Sequence, residues 1–180
     1  MDETEKKRFT DIVEWLDKEF STIRTGQATP TLLDGVRVES YGSMLPLNQV
    51  GSVGIEDART LRISPWDATQ VKAVEKAIAD ANLGLSVMAD SSGVRVIFPE
   101  LTGERRQQLV KLAKSKLEDA RVSVKAVRDD IMKAIDAAEK SGDMSQDDKF
   151  VQKEEAQKLV DAANRALEAR FSEKEAEISR

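Results

Sequence analysis

The chain contains no cysteine and no histidine. The first absence excludes disulfides, thiolate metal sites and a thiol nucleophile, and it suits a reducing compartment. The second removes the commonest general base and the commonest zinc ligand. Aromatic residues are 4% of the 180, so a core must be mainly aliphatic. No apolar run reaches the roughly 20 residues of a membrane-spanning helix. The first ten residues, MDETEKKRFT, lack the apolar centre of a signal peptide. A soluble cytoplasmic protein is expected. Without histidine, cysteine or a glycine-rich phosphate loop, an enzymatic role is not expected, nor a cofactor or a metal.

What is present is charge and aliphatic bulk. Hydrophobic residues are 40% of the chain and charged residues 34%, a balance that suits long solvated helices. Proline and glycine are unevenly spread. All four prolines (Pro30, Pro46, Pro65, Pro99) and eight of the nine glycines lie between Gly26 and Gly103; the ninth is Gly142. Both residues interrupt helices. The two ends should therefore be helical, and the middle should hold strands, turns and short helices.

Near the start, Phe9, Ile12, Val13, Leu16, Phe20 and Ile23 recur at spacings of three and four, the period of one helical face. Thr25-Gly26-Gln27-Ala28-Thr29-Pro30 stops it. The longest stripe runs from Leu109 through Ala113, Leu117, Ala120, Val124, Val127, Ile131 and Ile135 to Ala138. A stripe that long needs a long partner surface. Thr102 stands where its N-cap belongs, with Arg105 three residues on in place of the glutamate of a capping box. Ser141-Gly142-Asp143-Met144 reads as a turn, after which Ser145 can cap a third helix with Asp148 three residues on. The third helix carries Ala156, Leu159, Val160, Ala163, Leu167, Phe171 and Ile178 on its apolar face. Three amphipathic helices, two of them joined by a tight turn, predict an antiparallel three-helix bundle.

The middle reads as a small α/β module inserted between the first two helices. Val36 to Tyr41, Thr60 to Ile63, Ser86 to Met88 and Val94 to Phe98 suggest strands. Asp67 to Asn82 has helical spacing at Val71, Val74 and Ile78. Asp90-Ser91-Ser92-Gly93 suits a hairpin turn better than an anion-binding loop, because no helix follows it. Trp66 is expected in the core of this module or at its lip. The fold class is α+β, with a three-helix bundle over 1–28 and 104–180 and a β/α/β domain over 31–101. The chain crosses between them at 25–30 and 101–104, and paired crossings of this kind can act as a hinge.

The net charge of −5 argues against a general nucleic-acid binder. Its distribution says more. Residues 104–140 hold 10 basic and 7 acidic groups, whereas 1–30, 31–103 and 141–180 are each net negative. Within the positive segment, Lys114, Arg121, Lys125 and Arg128 share a helical face beside the apolar stripe. Cations along a rigid rod suit phosphates, because each neutralised phosphate releases counterions. Glu118 on the same side weakens the row, and exposed helix charges of this kind also serve simply as a solvated face. Arg105 and Arg106 begin the helix, where the macrodipole disfavours cations; they read equally as functional or as surface charge. Asp147 and Asp148 read as charges favoured near a helix start rather than as metal ligands.

Several stretches, in order along the whole chain, match a known pattern. They are Ile23-Arg24-Thr25-Gly26-Gln27-Ala28-Thr29-Pro30 with Leu33-Asp34-Gly35, then Tyr41-Gly42, Pro46-Leu47-Asn48-Gln49, Arg59-Thr60-Leu61 and Pro65-Trp66-Asp67. Glu75-Lys76-Ala77-Ile78, Leu83-Gly84-Leu85, Leu101-Thr102-Gly103-Glu104-Arg105-Arg106 and Ser145-Gln146-Asp147-Asp148 complete the set. Together they resemble the ribosome recycling factor family.

The resemblance implies an L-shaped, two-domain monomer hinged at Thr25, Gly26, Gln27, Ala28, Thr29 and Pro30 and at Leu101, Thr102, Gly103 and Glu104. It implies binding between the subunits of a post-termination bacterial ribosome, with the bundle on large-subunit ribosomal RNA. The expected partner is elongation factor G, whose GTP hydrolysis powers subunit separation. Carried over by position, the family's ribosomal RNA contacts are Arg106, Lys125 and Arg128; Arg105, Lys114 and Arg121 join them from the charge pattern. The chain also departs from the family. Lys125 stands where arginine is usual, keeping the charge and losing the planar fork. Gln27 and Asp129 also replace usual arginines, Gly103 replaces a usual glutamate, and Ile131-Met132-Lys133 replaces a more polar run. A protein–protein adaptor or coiled-coil chaperone using the apolar helices is the alternative reading.

Overall fold

A computed structural model describes residues 3–180; the first two residues of the expected 1–28 segment lie outside it. The chain divides into two compact units. One holds the residues up to Thr25 together with Gly103–Arg180, and the other is Gly26–Thr102. Three residues of the expected bundle segment thus lie with the second unit, where the Ala28 N–H donates to the Ala58 carbonyl at 2.8 Å.

The first unit consists of α1 (Glu3–Ser21) and two much longer helices that follow the inserted middle unit in sequence. These are the 39-residue Gly103–Ser141 and the 34-residue Gln146–Ser179, α4 and α5 in chain order. Eight of the nine stripe positions on α4 are buried, from Leu109 to Ile135, and Ala138 at the end is half-buried. Phe9, Leu16 and Phe20 of α1 and Ala156, Val160, Ala163, Leu167 and Ile178 of α5 are buried too, and both helices pack against α4. Polar contacts beside the seam give the directions. Arg8 pairs with Asp130 at 2.7 Å and Glu19 with Lys116 at 2.8 Å, so α1 runs antiparallel to α4. Arg128 meets Gln157 at 3.2 Å and Asp136 pairs with Lys153 at 2.6 Å, so α5 also runs antiparallel to α4. At the turn between them Gly142 takes φ +86°, a conformation that glycine adopts without steric cost. Ser145 then caps α5: its Oγ accepts from the Asp148 N–H at 3.1 Å and donates to the Asp148 carboxylate at 2.6 Å.

The second unit starts with a 3₁₀ turn, Pro30–Leu33, and a hairpin of β1 (Arg37–Ser40) and β2 (Ser43–Pro46). The two loop residues, Tyr41 and Gly42, both have positive φ, as a twisted two-residue hairpin requires. A one-turn helix α2 (Leu47–Val50) leads into β3 (Gly51–Asp57) and β4 (Thr60–Pro65). After the turn Ala68–Gln70 come α3 (Val71–Asp80), β5 (Ser86–Ala89) and β6 (Val94–Ile97). The four later strands form one antiparallel sheet in the order β3-β4-β6-β5. Val71, Val74 and Ile78 of α3 share a core with Val38, Leu61, Ile63, Val94 and Val96. Trp66 is 70% exposed: it stands outside this core, at the surface. Asp90 to Gly93 close the β5–β6 hairpin, with the Asp90 N–H donating to the Gly93 carbonyl at 2.9 Å. The Asp90 carboxylate is spent on Arg62 and on the N–H groups of Ser92 and Gly93, which leaves the loop as a brace for the sheet.

Candidate nucleic-acid interface

The stripe that buries one side of α4 leaves the next side to long charged residues, whose apolar stems lie on the bundle while their heads stay wet. Arg121, Lys125 and Arg128 come together there, on the flank that faces α5. With Val124, Val160 and Asn164 they line an open depression of about 530 Å³. Val124 and Val160 are almost wholly buried and form its floor; the three cations and the Asn164 amide form its rim.

The rim is partly neutralised from within. Arg121 donates to Glu118 at 2.7 Å and also pairs with Glu168 of α5. Arg128 donates through Nε to the Gln157 carbonyl oxygen at 3.2 Å and through a terminal nitrogen to Asp129 at 3.3 Å. Gln157 is held in turn by Asp161 at 2.9 Å. Lys125 makes no hydrogen bond or ion pair with the described residues, and neither does Lys114. Exposed ion pairs such as those of Arg121 are worth only about 0–1 kcal/mol, so an arriving phosphate can take a guanidinium from its carboxylate at small cost.

The other expected contacts lie elsewhere. Lys114 is exposed, three turns before Lys125 on α4. Arg105 is exposed in the first turn of α4 and meets Gln108 at 3.1 Å. Arg106 is half-buried, donates to the Ser179 carbonyl at the end of α5 at 3.3 Å, and keeps a buried Nε without a partner. At 1.5 Å per residue it sits about 28 Å along the helix from Lys125. The six cations therefore form a cluster of three, an exposed lysine beyond it and a pair at the helix start. Gln157, Asn164 and Glu168, which complete the cluster, were not singled out in the sequence. Their spacing of seven and four puts them on one face of α5, and pairing the two helices in antiparallel register is the step that would have found them.

At the crossings, Gly26 has φ +74°, and a Cβ there would come within 3.1 Å of Leu101 Cγ and 3.3 Å of the Pro99 carbonyl. Gly103 and Glu104 belong to the first turn of α4. Among the described residues no group of three or more acidic side chains is arranged to hold a metal, and no helix is long and apolar enough to cross a membrane.

The family model described as ribosome recycling factor matches residues 16–178. The chain belongs to the ribosome recycling factor family. The ribosome-recycling factor of Chlorobaculum parvum is 46% identical over 171 residues, which are 95% of this chain and 92% of that protein. A solution structure of the ribosome recycling factor is similar over 97% of this chain and 93% of its own, with 34% identity and a TM-score of 0.64. Another similar structure is a model of the Thermus thermophilus (T. thermophilus) ribosome recycling factor, described with E. coli elongation factor G as bound to the E. coli post-termination complex. It is 32% identical, covers 97% of this chain and 95% of its own, and has a TM-score of 0.59. The resemblance seen in the ordered sequence motifs and the α+β fold class both stand.

Proposed function

We propose that this protein binds post-termination bacterial ribosomes through large-subunit ribosomal RNA and, with elongation factor G, promotes separation of the subunits. The observation that carries this reading is a likeness running through 97% of the chain to a recycling factor described together with elongation factor G and a post-termination complex. The geometry of α4 supports it: a 39-residue rod presents Arg121, Lys125 and Arg128 along one flank, and Arg105 and Arg106 at its start.

In this proposal the protein is a lever. GTP hydrolysis by elongation factor G supplies the energy. This chain transfers no group, takes no cofactor and acts as a monomer in the cytoplasm. The basic flank, with Lys114 beyond it, grips phosphates, and the net negative remainder of the chain opposes stray binding to nucleic acid. The segments 25–30 and 101–104 are the hinge. Gly26, at φ +74°, suits that role because glycine passes between left- and right-handed backbone without steric cost.

The test is co-sedimentation with large ribosomal subunits over a range of salt. Binding should weaken as salt rises, and Lys125→Ala should flatten the log–log salt dependence by about 0.7–0.9, the value of one lost phosphate contact. Binding that ignores both salt and Lys125 would transfer the assignment to an adaptor that uses the apolar helices.

A further inference from the structure

The depression between α4 and α5 has features that a grip on phosphates alone does not need. Phosphate contacts ask for cations and N–H groups. Here the cations surround an aliphatic floor, Val124 and Val160, and the wall contributed by α5 ends in an amide, Asn164. The neighbouring polar side chains are already engaged: Gln157 bridges Arg128 and Asp161, and Arg121 bridges Glu118 and Glu168. The Asn164 amide has no hydrogen-bond partner among the described residues and is only half-buried. It therefore offers a donor and an acceptor side by side to whatever enters, the pattern that pairs in two-point fashion with a base edge. The volume of about 530 Å³ lies within the range of roughly 300–1,000 Å³ typical of clefts for small organic groups.

We infer that this depression takes a single unpaired ribonucleotide. Its base lies against the apolar stems of Arg121, Lys125 and Arg128 above the buried Val124 and Val160, its edge meets Asn164, and its phosphate meets Lys125. An unpaired nucleotide fits this arrangement better than a duplex, because bases in a helix are stacked and their faces are closed to a side-chain floor. The partner's charge follows from the rim. Lys125 makes no ion pair among the described residues, and the arginines' carboxylate partners Glu118, Glu168 and Asp129 are exposed groups whose place an incoming phosphate can take at small cost. The inference rests on the reading of the basic flank as a ribosomal RNA contact. It goes further in making Asn164 a residue that sets specificity, where a phosphate grip would be indifferent to it.

The test compares an unpaired dodecamer with the blunt duplex that it forms with its complement, by fluorescence anisotropy with the full chain; the duplex has more phosphates and no unpaired base. The unpaired RNA should bind about fivefold or more tightly, a modest share of the discrimination available to a two-point base contact. Asn164→Leu should abolish that preference with an unchanged salt slope. Lys125→Ala should weaken both RNAs together and lower the slope. Asn164→Ser, which keeps a polar group, serves if the leucine variant folds poorly. The Asn164 side-chain amide resonances should shift with the dodecamer and stay put with the blunt duplex.

Equal binding of both RNAs, or a preference that survives Asn164→Leu, would overturn the nucleotide pocket while leaving the phosphate grip intact. Binding of both RNAs that is indifferent to Lys125→Ala and Arg128→Ala would sink the underlying reading of the flank as well. An acidic peptide that displaces the dodecamer at lower concentration than unlabelled dodecamer would reassign the depression to a protein.

Discussion

The bundle and the sheet unit both bury aliphatic side chains, but they constrain their sequences differently. In the bundle the demand falls on one stripe per helix. The residues between the stripes face water and can be exchanged without disturbing the core, and there α4 carries its cations. The sheet unit is also constrained at the backbone. A Cβ at Gly93 would lie 2.4 Å from the Ile63 carbonyl, and one at Gly51 would lie 2.5 Å from the Ser64 carbonyl. The outer faces of long helices are therefore open to a functional surface at little cost in stability, whereas a module with close backbone approaches tolerates change only at its exposed edges and tips.

Core truncation should give the largest effect, and a similar one in both units. Leu61→Ala in the sheet and Leu167→Ala in the bundle each remove a side chain that is fully buried. Each should cost about 2–5 kcal/mol, read as lost amide protection against hydrogen exchange in the unit that carries it. A much smaller cost in either unit would mean that its core is looser than its packing indicates.

The comparison is sharpest for small residues. Gly93→Ala should destabilise the sheet unit by about 1–3 kcal/mol, as overpacking does. Ala134→Glu, on the exposed side of α4, should stay within about 0.5 kcal/mol. Chemical denaturation of the two variants checks this, and a neutral Gly93→Ala would erase the distinction. Ser145→Ala removes the cap of α5 and should cost about 1 kcal/mol, measured in the same way.

The smallest effect is that of acid. The Arg62 guanidinium beside Asp90, helped by the Ser92 and Gly93 N–H groups, holds the Asp90 carboxyl well below its ordinary value of 3.8. In the bundle Lys153 and Lys149 lower Asp136 in the same sense. A carboxyl whose pKa is lower folded than unfolded stabilises fully above the unfolded value and loses that contribution as pH falls through the folded one. Thermal melts should therefore be flat in this respect down to about pH 4 and then decline. Asp90→Asn should reduce the decline; an identical profile would remove the Arg62 brace from the account.

The difference between the units also governs how much could be read from the sequence. The bundle helices were legible because their stripes repeat over many turns, and the Ser145 cap because its partner lies three residues away. In the sheet unit β4, β5, β6, β1 and α3 were legible from short apolar patterns. The strand Gly51–Asp57 was not: it contains two glycines, and most of its residues are exposed, so neither alternation nor bulk marks it. The one-turn helix Leu47–Val50 is too short for a period to show, and the strand Ser43–Pro46 does not alternate, two exposed residues preceding two half-buried ones. Trp66, following Pro65, was expected in the core or at its lip; at 70% exposed, beside the Asp67 that caps the next turn, it is not in the core. In the candidate interface, spacing along α4 alone located Arg121, Lys125 and Arg128. Glu168, Gln157 and Asn164 come from a helix 29 to 47 residues further along the chain, and only the antiparallel register brings them to the same place.

A chain that separates ribosomal subunits must, in this proposal, grip RNA with the flank of α4. The most direct test is light scattering of post-termination bacterial ribosomes mixed with the protein, elongation factor G and GTP, with Arg128→Ala run alongside. Scattering should fall rapidly with the native chain and little or not at all with the variant. Undiminished scattering with the native chain and a matched elongation factor G would contradict it.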